Sequence, residues 1–464
     1  TSVGERTIGP MVARRAGPAG AAERGAGLVA WVTPPEGTGR RVVVSAIAAD
    51  GAPRGGERTV IAVPVDTTSL VVGALRGPAP GFVLAWTALT DRGEALWAAV
   101  VGDAGVARGK AIELARTADD IVWVDVVPTD LGAVCLWAEE TRGGDANVIA
   151  AALDTDGKVR GVPSSVARGV TGWHAVEAPG GLAVALVTPA RAPQGGGVPA
   201  GTRGGALSFV RLDHDGHASG APATITSAPS VSGDVDVARY RDRFVFAWTD
   251  RTADEPFVVA AALDDKGAVE PPRKIVEARG GAALIHLASG PAGLALLWEA
   301  PIRAKGESRR VHVARFSDAV LGLERRRLSA SIVGKATPEL AATSTGFAVL
   351  GSSHDCEAGS PGCPDAPVVA TLLRTDARLE LLQREPLAFP GDPAGLAWGL
   401  SCSGETCLAL AASGEPLARV RSATVRAREN ARRAAPPPPT DGPRVTDVTA
   451  LSSGEPVVDL AAAR

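Results

Sequence analysis

The chain has 464 residues, 45% hydrophobic and 21% charged, ordinary values for a folded soluble domain. Its 48 basic and 51 acidic residues leave a net charge of −3, which gives no footprint for nucleic acid. No apolar run reaches the roughly 18 residues of a membrane-spanning helix, and 55 glycines and 35 prolines favour short strands joined by turns.

The chain opens on Thr1 rather than Met, as expected of a processed or trimmed chain, such as one that has lost a signal peptide. An N-terminal Thr can act as a nucleophile with its own amine, but Thr1 begins a segment without strand pattern, so that role is not assigned. Residues 4–10, GERTIGP, resemble the outer-strand phrase GERTVIAVP at 56–64.

From residue 27 onward one apolar phrase recurs: GLVAW (27–31), GFVLAW (81–86), LGAVCLW (131–137), GLAVAL (181–186), RFVFAW (243–248), GLALLW (293–298), GFAVLG (346–351) and TCLALA (406–411). Its last residues step by 55, 51, 49, 62, 50, 53 and 60, the period of one four-stranded blade. An Ala-rich strand ending in an Asp/Gly turn follows, as in VIAAALDTDG (148–157) and FVVAAALDDKG (257–267). Another strand precedes each phrase, as in IVWVDVV, WHAVEA, DVDVARY, ALIHLA, PELAAT and GLAWGL. The phrases are apolar at nearly every position, which means burial on both faces. A middle strand between two stacked blades has that environment. The predicted fold is all-β: a single β-propeller of about eight four-stranded blades, or seven blades with a terminal appendage.

These repeats, which read roughly G-F-x-V-A-W … A-A-x-L-D-x-D-G, resemble a widespread group of exported bacterial β-propeller repeat proteins of mostly unknown function. The resemblance covers about residues 10–425 and implies fold and export, not activity. It weakens in repeats seven and eight, which lack the Trp.

The expected organisation is propeller repeats over 1–424, an Arg/Pro-rich linker at 425–443, and C-terminal strands at 444–464 that close the ring with the N-terminal strand. In the linker, four prolines favour an extended spacer beside Arg426, Arg428, Arg432 and Arg433. The loops at 188–205, 299–310 and 352–367 are long and irregular and emerge on one face, the expected interaction face. Cys356–Cys363 and Cys402–Cys407 are expected to be disulfides, because the pairs sit in loops and turns without C-x-x-C spacing or a His partner motif. Disulfides imply an extracytoplasmic location: periplasm, outer surface or secreted. Cys135 falls within an apolar strand and is expected to be a buried thiol.

No catalytic, cofactor or metal motif stands out. The D-x-D-G pairs Asp154/Asp156 and Asp213/Asp215 lack the further ligands of a calcium loop and fall where a strand must reverse. Near-matches to the sialidase Asp box, such as TDRGEALW (90–97), have the wrong spacing. Trp31, Trp86, Trp137, Trp248 and Trp298 end buried strands and are expected in the core. The candidates for ligand contact lie on the innermost strands, around the channel: Trp123, Asp125, Trp173, His174, Asp236, His286 and Trp398, with Asp119 and Asp120 nearby. The expected function is non-enzymatic binding or scaffolding on the long-loop face, with a protein partner or surface glycan and no cofactor. The alternative is a hydrolase or lyase acting on polysaccharide or peptide at the channel mouth.

Overall fold

The computed structural model describes residues 19–463 apart from 24–25, 33–38, 48–52, 65, 141–145, 190–204, 251–256, 277–282, 302–308, 318–320, 333–336, 355–367, 388–396, 414–416, 427–443 and 453–460. Residues 4–10, most of each long loop, the 425–443 linker beyond Arg426, and the Cys356–Cys363 pair lie outside the described residues.

Among the described residues every regular element but short turns is a strand. The strands pair into seven sheets: five have four strands, one has five and one has seven. The seven-stranded sheet is two repeats joined by one strand, Ala223–Tyr240. Its opening residues pair with Gly205–Asp213, as the outer strand of one repeat; its closing residues pair with Arg243–Asp250, as the inner strand of the next. The seven sheets therefore contain eight four-strand repeats. Within each, sequential antiparallel strands run outward from the axis.

The inner strands are Ala19–Glu23, Thr67–Leu75, Asp120–Thr129, Gly172–Ala178, the second half of Ala223–Tyr240, Ala283–Gly290, Glu339–Ala342 and Ala397–Ser403. Each lies against the next, and the last lies against the first, so the ring is closed. The architecture is a β-propeller. Arg444–Ser452 is the outer strand of the eighth blade, and Ala461–Ala463 pairs in parallel with Ala19–Glu23.

The core is a set of inter-blade layers. Each apolar cluster joins two consecutive blades, as Phe82, Trp86 and Leu28 do for the first and second. Trp86, Trp137, Trp248 and Trp298 are at most 2% exposed, and each fills the layer shared with the preceding blade. A glycine opens most of these strands for a steric reason. At Gly81, Gly132, Gly181 and Gly346 a Cβ would collide with a carbonyl of the blade's third strand.

Polar ties cross the same seams. Glu94 accepts the Ile121 N–H at 2.6 Å between blades two and three. Arg211 pairs with Asp265 at 3.0 Å between four and five, and Arg326 with Glu380 at 2.9 Å between six and seven. Between seven and eight, where the Trp is missing, Arg374 pairs with Glu405 and donates to its carbonyl at 2.6 Å. Burial alone would raise the Glu405 carboxyl, but hydrogen bonds from Ser344 and Thr345 and the charge of Arg374 outweigh it and hold it low. A disulfide joins Cys402 and Cys407, directly paired residues of the hairpin in blade eight. Cys135 is a fully buried free thiol, and burial pushes its pKa up to about 12.

Candidate functional site

The antiparallel pairing fixes which inner-strand residues share a level. The residue just before the end of each recurring phrase pairs, in order around the ring, with Ala19, Val71, Asp125, His174, Asp236, His286, Glu339 and Gly399. Blades three to seven thus carry acid, His, acid, His, acid at one register. Blades eight, one and two carry Gly, Ala and Val there.

The middle of this arc is in direct contact. His174 Nε2 lies 3.0 Å from Asp236 Oδ1, and His286 Nδ1 lies 4.0 Å from Asp236 Oδ2. The Asp236 side chain is 3% exposed, against 25% for His174 and 15% for His286. A buried carboxylate must be hydrogen-bonded. Asp236 meets that requirement with the N–H of Val237 at 2.8 Å and of Leu287 at 2.7 Å, besides His174. The Leu287 bond ties blade five to blade six, and the His174 bond ties it to blade four. Asp125 repeats the local device, accepting the Val126 N–H at 2.9 Å.

Strand direction alternates within each blade, so the long loops and the blade-to-blade connections emerge on the same face. His174, His286 and Glu339 fall in the opening half of their strands, the half nearer that face. The phrase residues opposite this level are each the fifth of an eight- or nine-residue strand, so the acid–His layer lies at mid-height in the blades. A buried carboxylate holds a neighbouring imidazole in one tautomer and orientation. The His174 ring, a quarter exposed, can meet a ligand by hydrogen bonding or by proton transfer, whereas His286 turns Nδ1 to Asp236 and keeps Nε2 buried.

The sequence candidates separate into three groups. Asp125, His174, Asp236 and His286 are brought to one level. Trp123 and Trp173 are not at the channel: they are 8% and 4% exposed and pack in the layer between blades three and four. The reason is local. The phrase of blade four ends in Leu186 rather than Trp, and these two indoles fill the seam that a Trp fills elsewhere. Trp123 sits at a β-bulge with φ 54°, as does Leu284 of blade six at φ 48°. Trp398 lies on the inner strand of blade eight opposite Ala411, one residue before the shared level.

Glu339 completes the arc and was not among the candidates. Its signal was available: Asp125, His174, Asp236, His286, Glu339 and Gly399 each stand twelve residues before the end of their phrase. Blade two breaks the count because its hairpin turn is longer. Among the described residues no group of three His, Cys, Asp or Glu side chains is placed to hold a metal ion, and no helix is long and apolar enough to cross a membrane.

No protein-family model and no curated protein sequence matches the chain. Among solved structures, the β-propeller domain of the Trilobed protease from Pyrococcus furiosus aligns over 78% of this chain and 99% of its own, at 10% identity and a TM-score of 0.43. The polysaccharide lyase Uly1 aligns over 71% and 81%, at 10% identity and 0.42. The WD40 domain of SCAP from fission yeast aligns over 91% and 98%, at 8% identity and 0.42. Similarities this distant, spread over a protease domain, a lyase and a WD40 domain, carry no argument about activity.

Proposed function

We propose that this chain is an extracytoplasmic binding propeller that takes a protein partner or surface glycan on its long-loop face, with the inner-strand layer of His174, Asp236 and His286 below it. The observation that carries the reading is the His174–Asp236–His286 contact across three consecutive blades. Packing alone does not require it, because Ala19, Val71 and Gly399 stand at the same level in a closed ring. Export is supported by the Cys402–Cys407 disulfide.

The test is crosslinking and affinity capture from native cell envelopes, together with a glycan array. It compares the intact protein with His174→Gln/His286→Gln and with a form shortened at 188–205. The reading expects capture by the intact protein and its loss in the double variant. Equal capture by both would contradict it.

A second reading is favoured by the same pair. An imidazole fixed by a buried carboxylate is also an arrangement for general acid–base chemistry. A hydrolase or lyase acting on polysaccharide or peptide would show turnover that His174→Gln abolishes while ligand capture persists.

A further inference from the structure

The outer half of the sixth blade carries a second cluster, away from the channel. Its anchor strand is Gly293–Pro301, its third strand Arg309–Phe316 and its outer strand Leu323–Ile332. Pairing places Trp298 opposite His312, His312 opposite Ser329, Arg310 opposite Ser331 and Ala314 opposite Arg327. Directly paired residues share a face, so Trp298, His312, Ser329, Arg310 and Arg327 lie on one side of the sheet. Arg310 and Arg327 stand four residues apart along the strand direction, about 14 Å.

The cluster is built around a buried ring. His312 stacks on Trp298 with centroids 5.2 Å apart and planes at 27°, and the Arg327 guanidinium sits 5.4 Å from the same centroid. His312 Nδ1 and Ser329 Oγ are 2.8 Å apart. Both arginines are exposed. Glu324 of the outer strand pairs with Arg315 at 3.8 Å, and Glu380 of blade seven pairs with Arg326 at 2.9 Å. Among the described residues no carboxylate pairs with Arg310, Arg325 or Arg327. In a chain of net charge −3 this is a local excess of positive charge. Burial lowers the His312 pKa, and the charges of Arg310 and Arg327 lower it further, so the ring registers the uncompensated field.

We propose that this face binds a linear anionic polysaccharide. Arg310 and Arg327 take two of its carboxylates, and His312 and Ser329 hydrogen-bond the sugar between them. Arg suits the role because its planar fork matches a carboxylate in two hydrogen bonds. A membrane surface is disfavoured, because among the described residues no exposed large apolar side chain lies on this blade to enter the lipid. Nucleic acid is disfavoured because Trp298 is 1% exposed and offers no face for a base to stack on.

The experiment titrates a short oligogalacturonate into the wild-type chain, Arg310→Ala/Arg327→Ala, Arg310→Lys/Arg327→Lys and the remote surface control Arg92→Ala. It follows affinity by calorimetry and the His312 titration midpoint by NMR. Binding should weaken about tenfold or more in the Ala pair, less in the Lys pair, and not at all in the control. Added salt should weaken it. The bound anion should raise the His312 midpoint, because it offsets the field of both arginines. Equal affinity of wild type and the Ala pair, an unmoved midpoint, or binding only to anionic phospholipid vesicles would each overturn the proposal.

Discussion

Blades three to seven and blades eight, one and two are built on one plan and differ at one register. Both sectors pair inner strand to phrase in the same way, and both contribute to the closed ring of inner strands. Yet one sector places Asp125, His174, Asp236, His286 and Glu339 where the other has Gly399, Ala19 and Val71. The fold accepts small apolar residues at this level, and that contrast is what supports the proposed ligand site. The Ala461–Ala463 strand lies against inner strands of the apolar sector, blades eight, one and two.

Substitutions can break or sharpen this comparison. The largest effect should come from what most seams share. Trp248 is fully buried, and Trp248→Ala should cost about 3–5 kcal/mol in chemical denaturation. Asp236→Ala tests the charged sector. It strips an acceptor from the Val237 and Leu287 N–H groups and from His174, so about 2–3 kcal/mol should be lost. A loss near zero would mean that the seam repacks and that the carboxylate is held for its ligand alone. Opening the Cys402–Cys407 bridge by Cys→Ala replacement at both positions should cost about 2 kcal/mol, because the loop it closes is short.

The Cys135 thiol gives a pH-dependent test. Its pKa is raised from about 9 in the unfolded chain to about 12, so the folded state keeps a proton that the unfolded state releases. The associated stability is intact below pH 9 and is lost as pH rises from there toward 12. At pH 10 the loss is about 1 kcal/mol, and Cys135→Ala should remove it. The smallest effect on stability belongs to His174→Gln, below about 1 kcal/mol, for a ring that is partly exposed.

Much of this was legible in the sequence because repetition multiplies weak signals. Continuous apolar runs marked strands buried on both faces, and their period marked blades. A merged sheet was not legible. Nothing in 223–240 announces that one strand will serve two blades, because pairing partners rather than propensity decide it. Trp123 and Trp173 were misplaced for a related reason. Inner strands do surround the axis, but a side chain at the neighbouring register turns into the seam, and Leu186 left room there. Glu339 was missed because its strand is only four residues long and its neighbours are Ala and Leu. The twelve-residue spacing that identifies it becomes meaningful once the hairpin geometry is known. The long loops, expected to form the interaction face, vary too much between repeats for the pattern to constrain them.

The central claim is that the charged arc is a ligand site on a scaffold that does not need it. The most direct measurement combines Asp125→Asn, His174→Gln, His286→Gln and Glu339→Gln in one chain, leaving Asp236 in place. It then compares thermal unfolding and ligand capture with the wild type. A variant that folds as the wild type does and captures nothing is the predicted result. A variant that unfolds, or one that captures the same ligand equally well, would contradict the account.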